Sequence, residues 1–464
     1  MKRRVWLVLT GLWLLLAAGA SAEELRFPAQ VQPFARTELT VEAPADGRLT
    51  IRLWNALGEQ QPIVKDATVH AGENTFVWDA TTYGGMPLAP GACRAMAMLE
   101  RVDGTRHWMR AGFCVESPIA TLHYALPCGE VFSHKRASPW FVDCAVTAQC
   151  VVNLEIYSDA ERTQLAASVR KKVNNSGFFR MVWNGERNGR KLAEGDYYVK
   201  VYASGSEDRA FTFPLKVQNQ RPAQAELGPT GPLLPAALDD ASVWQAITAP
   251  IAVVNIDAED HQRLYAGPTP KSGVVGNVHG QSQGLEVLEV GKTYTRVRAW
   301  RHEDDTCVEG YVPTRKLKMV APNTRYGVLI NKATQTLTVY ERGKPIAHAR
   351  VSTGLKAEDK AFRETRRGAF LTTDRVMPFE SKGFRYEYAI RIDGGNLIHQ
   401  VGYRPGANAM DFSEQTAQLG ERASEGCVRV DWRAQEEGSI NAYWLWTHLP
   451  YGTKVLVVDW ETGV

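Results

Sequence analysis

A single cysteine near the end of the chain has the surroundings expected of a nucleophile. It lies in the segment "ASEGCVRVD", residues 423–431, where Cys427 follows Gly426 and Arg429 comes two positions later. A thiol attacks a carbonyl carbon as the thiolate, and an unperturbed thiol with a pKa of about 8.5 is only a few per cent ionised near neutral pH. A nearby base therefore has to take the proton from the sulfur.

Of the ten histidines in the chain, His399 is the best candidate for that base. It belongs to a buried-looking strand, "NLIHQ", and is separated from Cys427 by a loop that can fold back. A positioned base contributes roughly a hundred- to ten-thousand-fold to the rate. The backbone N–H groups around Gly426 and Cys427 are candidates for holding the oxyanion, and the missing Cβ of Gly426 permits a sharp turn.

The sequence predicts no cofactor and no metal site. The acidic run 303–305, with His302 before it and Cys307 after it, is the segment that most resembles a group of metal ligands. Its spacing fits neither a zinc ribbon nor an EF-hand loop. We therefore expect a solvated loop at this position.

Seven cysteines in one chain favour disulfides with one thiol left over, provided that the protein is exported. The segment 93–114 consists of two alternating strands around Asp103-Gly104, and a two-residue loop at this point sets Cys93 opposite Cys114. This register predicts a Cys93–Cys114 disulfide. Cys144 and Cys150 flank another tight connection and are predicted to form a second one.

Export is predicted from the first residues, "MKRRVWLVLTGLWLLLAAGASA". Three positive charges precede an apolar run and an Ala-Ser-Ala site, which is the pattern of a signal peptide cleaved after Ala22. The apolar run is shorter than the roughly 20 residues needed to span a bilayer, and no later segment is apolar enough to do so. Without the leader, basic and acidic residues are equal in number, 51 of each, so the composition does not favour a nucleic-acid partner.

The first part of the predicted mature chain contains an internal repeat. The segment "FVWDATTYGGMPLAPGACRAMAML" at 76–99 matches "MVWNGERNGRKLAEGDYYVKVYA" at 181–203, which aligns Trp78 with Trp183. Repeats of about a hundred residues made of short strands and Gly-rich turns predict two tandem β-sandwiches. The motif resembles the immunoglobulin-like domain of flagellar hook-capping proteins. The aligned tryptophans are interpreted as core residues.

Two further regions precede the segment that contains the cysteine. Residues 219–244 are rich in Pro, Ala and Gln and are predicted to be a linker. Residues 245–322 contain five short predicted strands and end near "EGYVPTRKLKMV". This region resembles a bacterial SH3-like barrel, and the resemblance implies binding to cell-wall peptides.

The last third of the chain carries the most specific resemblance. The segments "INKATQTLTVY", "VSTG", "RRGAF", "VMPF", "IHQ", "SEGCVRV" and "GTKVLVV" occur in the order found in L,D-transpeptidase catalytic domains. The resemblance covers about residues 324–461. It implies that Cys427 is the nucleophile and His399 the general base, that the main-chain carbonyl of Gln400 orients the imidazole, and that Ser424, Gly426 and Arg429 shape the site.

Two features depart from the family pattern. Glu425 stands where the family usually has histidine, and 24 residues separate His399 from Ser424, more than is typical. A negative charge beside the thiol raises its pKa unless Arg429 or Arg422 offsets it. The longer loop is expected to alter the lid over the cleft.

The resemblance implies an enzyme that attacks a peptide bond of a peptidoglycan stem, holds the acyl group as a thioester on Cys427 and transfers it to an amine. With water as acceptor, the same residues give a carboxypeptidase or hydrolase. A non-enzymatic array of wall-binding modules is the third possibility. Peptidoglycan stem peptides are the expected partner and the periplasm or cell wall the expected location, while the sequence gives no indication of oligomeric state.

The sequence thus predicts a mainly β, multidomain protein with one clear helix after the cysteine. The expected regions are a signal peptide (1–22), two β-sandwiches (23–117 and 118–218), a linker (219–244), an SH3-like barrel (245–322) and an L,D-transpeptidase domain (324–461).

Overall fold

The computed structural model shows a mainly β chain whose described residues divide into two compact units, within 24–116 and within 120–460. The residues it describes are 24–32, 35–55, 60–78, 80, 88, 91–116, 120, 122–135, 139–146, 148–174, 177–220, 226–356, 363–404, 411–432 and 439–460. The predicted signal peptide lies outside them. Within these ranges no helix is long and apolar enough to cross a membrane.

The described part of the first unit consists of two sheets around one hydrophobic core. Its strands are β1 (Leu25–Arg26), β2 (Gln30–Val31), β3 (Thr37–Ala43), β4 (Gly47–Trp54), β5 (Gln60–Val69), β6 (Gly72–Trp78), β7 (Gly91–Arg101) and β8 (Arg106–Val115). A three-stranded sheet has the order β1-β3-β6, and a five-stranded sheet has the order β2-β8-β7-β4-β5. Trp78 is buried in the core between them, as predicted.

The predicted disulfide between Cys93 and Cys114 is wrong because the hairpin register differs by one residue. In the β7–β8 pair, Cys93 lies opposite Phe113, and Cys114 lies opposite Ala92. The Arg101 N–H donates to the Thr105 carbonyl, which makes the loop three residues long rather than two. A shift of one residue moves a side chain to the other face of a strand. Accordingly, Cys93 is buried, Cys114 is exposed, and no bond joins these two described residues.

The second β region repeats the division into a three-stranded and a five-stranded sheet. Its strands are β9 (Leu122–Pro127), β10 (Val131–Ser133), β11 (Trp140–Val146), β12 (Cys150–Tyr157), β13 (Leu165–Val173), β14 (Gly177–Trp183), β15 (Glu186–Arg187), β16 (Arg190–Lys191), β17 (Gly195–Ala203) and β18 (Phe211–Gln218). The sheets have the orders β14-β11-β9 and β10-β18-β17-β12-β13, and β15 pairs with β16. Trp183 is buried, as expected. Cys144 and Cys150 lie on strands of different sheets and are not bonded in this described region, so the second predicted disulfide is also wrong.

The region predicted to be a linker includes the start of a helix, α1 (Asp240–Thr248). Asp239 caps it, with its side chain accepting from the Ser242 N–H at 2.9 Å. Helix α1 packs against the C-terminal domain, where the buried Lys454 ammonium donates to the Ala246 carbonyl at 2.7 Å. The predicted boundary at residue 244 therefore falls inside a packed helix.

The region predicted to be a barrel consists of seven short strands. They are β19 (Ile251–Val254), β20 (His261–Tyr265), β21 (Val274–His279), β22 (Glu286–Glu289), β23 (Tyr294–Trp300), β24 (Cys307–Pro313) and β25 (Leu317–Val320). Five of them form an antiparallel sheet in the order β21-β20-β24-β23-β22, and β19 pairs with β25. The resemblance to SH3-like barrels stays a prediction.

The loop 302–307 is not the solvated loop that the sequence predicts. Asp305 is only 4% exposed, and its carboxylate accepts from the buried Lys332 ammonium at 2.9 Å and from the Arg367 Nε at 3.0 Å. A buried carboxylate needs such partners. The loop is therefore fixed to the C-terminal domain by ion pairs that sequence spacing does not reveal.

The C-terminal domain is organised around one long mixed sheet. Its elements are β26 (Tyr326–Asn331), β27 (Thr336–Glu341), β28 (Lys344–Gly354), β29 (Gly368–Leu371), β30 (Arg375–Val376), β31 (Phe379–Ser381), β32 (Phe384–Tyr386), β33 (Ala389–Asp393), β34 (Asn396–Gln400), α2 (Ser413–Thr416), β35 (Arg422–Ser424), β36 (Val428–Val430), α3 (Ala442–His448) and β37 (Lys454–Val458). The order is β29-β37-β26-β27-β28-β36-β34-β33-β30, with β35 beside β28, and β31 pairs separately with β32.

The helix predicted after Cys427 is present as α3. The Asn441 side chain caps it by accepting from the Trp444 N–H at 2.8 Å, which is a favourable N-cap. The ring of Trp446 packs against Tyr124 of the second β region, with centroids 4.0 Å apart. Tyr124 and Leu126 belong to the same hydrophobic cluster as the C-terminal sheet.

Candidate active site

Two adjacent parallel strands position the predicted nucleophile and base. Strands β34 and β36 pair in a register that sets His399 opposite Arg429. Cys427 immediately precedes β36, two residues before Arg429. Residues two apart on a strand point to the same face. The sheet thus directs His399 and Cys427 to one pocket, which both residues line.

The His399 ring is held in a defined orientation. Its Nδ1 atom lies 2.6 Å from the main-chain oxygen of Gln400, which is the acceptor implied by the family resemblance. A carbonyl oxygen can only accept, so Nδ1 carries the proton and Nε2 presents a lone pair. The Tyr386 ring packs against the imidazole at a centroid distance of 4.8 Å. Only 3% of the His399 surface is exposed.

The turn that carries Cys427 is fixed by hydrogen bonds. The Ser424 hydroxyl donates to the Cys427 carbonyl at 2.5 Å, and the Gly426 N–H donates back to the Ser424 Oγ at 3.3 Å. The Thr365 hydroxyl donates to the Gly426 carbonyl at 2.8 Å. Gly426 adopts a φ of +110°, and a Cβ there would clash with the Asn396 side chain. Only glycine therefore fits this turn without strain.

Both members of the candidate pair are uncharged at neutral pH. Burial lowers the pKa of His399 to about 4. Burial also raises the pKa of the Cys427 thiol, although a hydrogen bond from the Leu397 backbone and the charge of Arg429 act in the opposite direction. A thiol and an imidazole that are both neutral do not form a resting ion pair, so a reaction at this site would require proton transfer as the sulfur attacks.

The charge of Glu425 is balanced by cations that the sequence did not single out. Its carboxylate accepts from Lys382 Nζ at 2.5 Å and from Arg363 at 2.9 Å, and the hydrogen bond from Lys382 lowers the pKa of Glu425. Arg422 instead pairs with Glu364 at 3.2 Å and with Asp459. Of the two arginines that we expected to offset Glu425, only Arg429 lowers the pKa of the thiol.

The pocket has a volume of about 300 Å³. Four of the predicted site residues line it, namely Cys427, His399, Ser424 and Arg429. The other two predicted site residues, Gly426 and Gln400, contribute backbone carbonyls. The Gly426 carbonyl accepts from the Thr365 hydroxyl, and the Gln400 carbonyl accepts from His399 Nδ1.

Sequence reasoning missed an aromatic wall formed by Phe379, Phe384 and Tyr386, and a polar rim formed by Lys382, Glu414, Gln415 and Gln418. The residues after position 412 in this rim come from the long loop expected to cover the cleft. Strand alternation in "GFRYEY" gives the one signal from which the wall could have been recognised.

A cysteine and a histidine in one pocket, with an orienting carbonyl, are the residue types that a nucleophilic thiol site requires. Residues 325–457 match the L,D-transpeptidase catalytic domain family. This part of the chain is therefore an L,D-transpeptidase catalytic domain, and the resemblance noted in the sequence is confirmed.

Solved structures similar to the chain include L,D-transpeptidases from three bacteria. The enzyme from Xylanimonas cellulosilytica (residues 123–326) is 23% identical over 29% of this chain and 61% of its own, with a TM-score of 0.22. The Enterococcus faecium catalytic domain is 19% identical over 29% and 98%, with a TM-score of 0.21. The Mycobacterium smegmatis enzyme is 12% identical over 57% and 91%, with a TM-score of 0.23. The chain thus spans 61% of the first of these proteins. Among curated protein sequences, none matches it.

Proposed function

We propose that the protein is a peptidoglycan L,D-transpeptidase that forms a thioester on Cys427 and transfers the acyl group to an amine. One observation carries the proposal: Cys427 and His399 line the same pocket in a domain that matches this family. The orientation of His399 supports it, because the Gln400 carbonyl fixes the proton on Nδ1 and leaves Nε2 to act as base.

The first half of the reaction is acylation. His399 Nε2 takes the proton of the Cys427 thiol as the sulfur attacks the carbonyl carbon of an L-to-D peptide bond in a stem peptide. The C–N bond then breaks, and the imidazolium returns the proton to the departing amine of the terminal D-residue. The products are a thioester on Cys427 and a free D-amino acid.

The second half releases the enzyme. An amine from a neighbouring stem attacks the thioester while His399 takes one of its protons. A new amide bond forms, the C–S bond breaks, and the proton returns to sulfur. With water in place of the amine, the product is a carboxylic acid, which is the carboxypeptidase or hydrolase reaction.

Lys382, Arg363 and Arg429 support a substrate with carboxylate groups. Lys382 and Arg363 both pair with Glu425 and are well exposed, and Arg429 donates to Gln418 at 2.6 Å in the pocket. Exposed ion pairs are weak and exchange partners at little cost. A stem-peptide carboxylate can therefore replace Glu425 as the partner of one of these cations.

We propose that the regions before the catalytic domain hold it on peptidoglycan, in the periplasm or in the cell wall. The repeated three-plus-five-stranded sheets support two Ig-like modules, and the five-stranded antiparallel sheet supports an SH3-like one. The full chain with Cys427→Ala should sediment with insoluble peptidoglycan in excess soluble stem peptide. Loss of sedimentation under that competition would mean that stem-peptide contacts, at the active site or the barrel region, carry all of the wall binding, and it would remove the two Ig-like regions from that role.

Acylation is tested by mass spectrometry of the intact full chain after incubation with a carbapenem, whose strained ring acylates a reactive thiol. We expect one covalent adduct, which is lost in Cys427→Ala and retained in Cys114→Ala, a control at an exposed thiol. An unmodified wild-type protein that is folded by circular dichroism would contradict the proposal.

Transfer is then separated from hydrolysis with a purified tetrapeptide stem. With an amine acceptor present, transfer gives a product whose mass is the sum of the acyl fragment and the acceptor. Hydrolysis gives the shortened acid whether or not the acceptor is present, and this result would replace transfer by the carboxypeptidase reaction.

A further inference from the structure

Three histidines from the barrel region meet at one point in the fold. His261 begins β20 and lies opposite His279, the last residue of β21, in the antiparallel register. His302 is placed beside them because its N–H donates to the Asn277 carbonyl at 2.8 Å. The ring centroids are 4.4 to 4.7 Å apart, and one nitrogen from each ring lies within 4.8 Å of the others.

The C-terminal domain holds the middle ring of this group. His279 Nδ1 lies 2.7 Å from the Asp393 carboxylate, which also forms a buried ion pair with Arg366. Arg366 Nη2 also lies 3.3 Å from His279 Nδ1. The contact with the Asp393 carboxylate is the shorter one, and a carboxylate can only accept, so we assign the proton to Nδ1 and the lone pair to Nε2. Carboxylate–histidine pairs of this kind orient imidazoles that bind metal ions and make the other nitrogen a better ligand.

Space for the His279 ring is provided by a glycine. Gly394 follows Asp393 with a φ of +52°, and a Cβ at this position would clash with three atoms of the imidazole. The residues that orient His279 and make room for it are thus consecutive. This arrangement is a built site rather than a chance contact of surface histidines.

One side of the cluster is accessible to an ion from solvent. The charge of Arg366 is paired with Asp393. His279 is buried, whereas His261 is exposed and connects the cluster with solvent.

We propose that His261, His279 and His302 bind a divalent transition-metal ion, with zinc as the best-fitting occupant and Asp393 as the residue that orients His279. Imidazole nitrogens suit zinc, copper and nickel, and three histidines with an open fourth position are a known zinc arrangement. Nitrogens bound to one tetrahedral zinc ion at about 2.0–2.1 Å lie about 3.3 Å apart. Binding would therefore draw the three nitrogens together from their present separation of up to 4.8 Å, and the exposed His261 ring has room to rotate.

The site is independent of the proposed acyl transfer, so it is tested in the full chain carrying Cys427→Ala, which removes the pocket thiol as an alternative zinc ligand. The protein is prepared without a polyhistidine tag and stripped of metal with a chelator. Titration with Zn²⁺ in a calorimeter should give one ion per chain, and mass spectrometry under native conditions should show the same stoichiometry.

Variants at the ligands decide whether these residues hold the ion. His261→Ala and His302→Ala should each weaken binding at least a hundredfold, and Co²⁺ should give the visible absorption of tetrahedral coordination only with all three ligands present. His70→Ala, at a histidine whose side chain is 81% exposed, should bind as the parent does. His261 is the safer test position, because its ring is exposed and its loss leaves the packing intact.

The proposal is overturned by either of two results. One is the absence of a stoichiometric zinc site in the folded parent protein. The other is zinc binding of unchanged affinity in His261→Ala and His302→Ala, which would assign the ion to other residues.

Discussion

His399 and His279 are both buried imidazoles whose Nδ1 is fixed by an oxygen acceptor, yet their surroundings differ. The acceptor of His399 is the neutral Gln400 carbonyl, and the Cys427 thiol lines the same pocket. The acceptor of His279 is the Asp393 carboxylate, and its neighbours are two further imidazoles. A neutral acceptor orients a ring and stabilises its positive charge less than a carboxylate does, whereas a carboxylate makes the free nitrogen a stronger ligand.

This difference indicates two kinds of site that share one feature, an oxygen acceptor that orients a buried imidazole. One hairpin joins them, because β33 ends at Asp393 and β34 carries His399. Asn396, at the start of β34, packs where Gly426 lacks a side chain. Four predictions test how far the two sites differ, in order of decreasing effect.

The base at His399 should have the largest effect on the chemistry. His399→Gln keeps a polar side chain but removes the base, so we expect carbapenem acylation of Cys427 to slow by about a hundred- to ten-thousand-fold. The rate is measured by quenched-flow mass spectrometry, with His70→Gln as the matched exposed control. A rate within threefold of wild type would remove the base role from His399.

The charge on Asp393 should matter for stability, unlike the neutral acceptor of His399. Asp393→Asn leaves Arg366 buried without its anion, and breaking a buried ion pair costs about 3–5 kcal/mol. The melting transition of this domain, followed by calorimetry, should shift to lower temperature. Glu341→Gln is the control, because its partner Arg325 is 58% exposed and such pairs contribute about 0–1 kcal/mol. Equal shifts in both variants would show that the buried pair is not stabilising.

The glycines beside the two sites should separate them. Gly426→Ala should lower the acylation rate at least tenfold, and Gly394→Ala should weaken zinc binding at least tenfold, because each added Cβ displaces a neighbouring side chain. Backbone strain adds about 1–3 kcal/mol in each variant. Gly452→Ala is the control, with a φ of +73° but nothing near its Cβ. If Gly452→Ala lowers the acylation rate or the zinc affinity as much as the site variants do, backbone strain alone explains the losses.

The pH dependence should be the smallest effect within the usual range. Burial sets the pKa of His399 at about 4, so the imidazole is neutral and able to accept a proton at any pH well above 4. The acylation rate should therefore not decline when the pH is lowered from 8 to 6. It should fall when the pH is lowered further, through about 4. Measurement of the carbapenem adduct rate from about pH 3 to pH 8, with folding checked by circular dichroism, tests this. An acylation rate that already declines when the pH is lowered below 7 would mean that the base has an ordinary histidine pKa.

Much of the fold was predictable because it depends on local patterns. Alternating strands, the internal repeat and the helix after Cys427 follow from side-chain periodicity, and the structure confirms a mainly β chain with that helix. The hairpin register at Cys93 was not predictable, because a Val-Asp-Gly loop in place of an Asp-Gly loop changes the pairing of every later residue. The helix across position 244 was missed because its stability comes from packing on the C-terminal sheet.

The sequence by itself determined the identity of the nucleophile and base candidates, since their types, their glycine and arginine neighbours and the order of the surrounding segments are local features. Only the tertiary structure decided which other residues join them. Arg363 and Lys382 meet at Glu425, and His261, His279 and His302 meet beside Asp393, across separations that no spacing rule covers. The physical reason is that charge pairing and ring packing depend on distance in space. That distance is set by the pairing of strands and by the packing of one region on another.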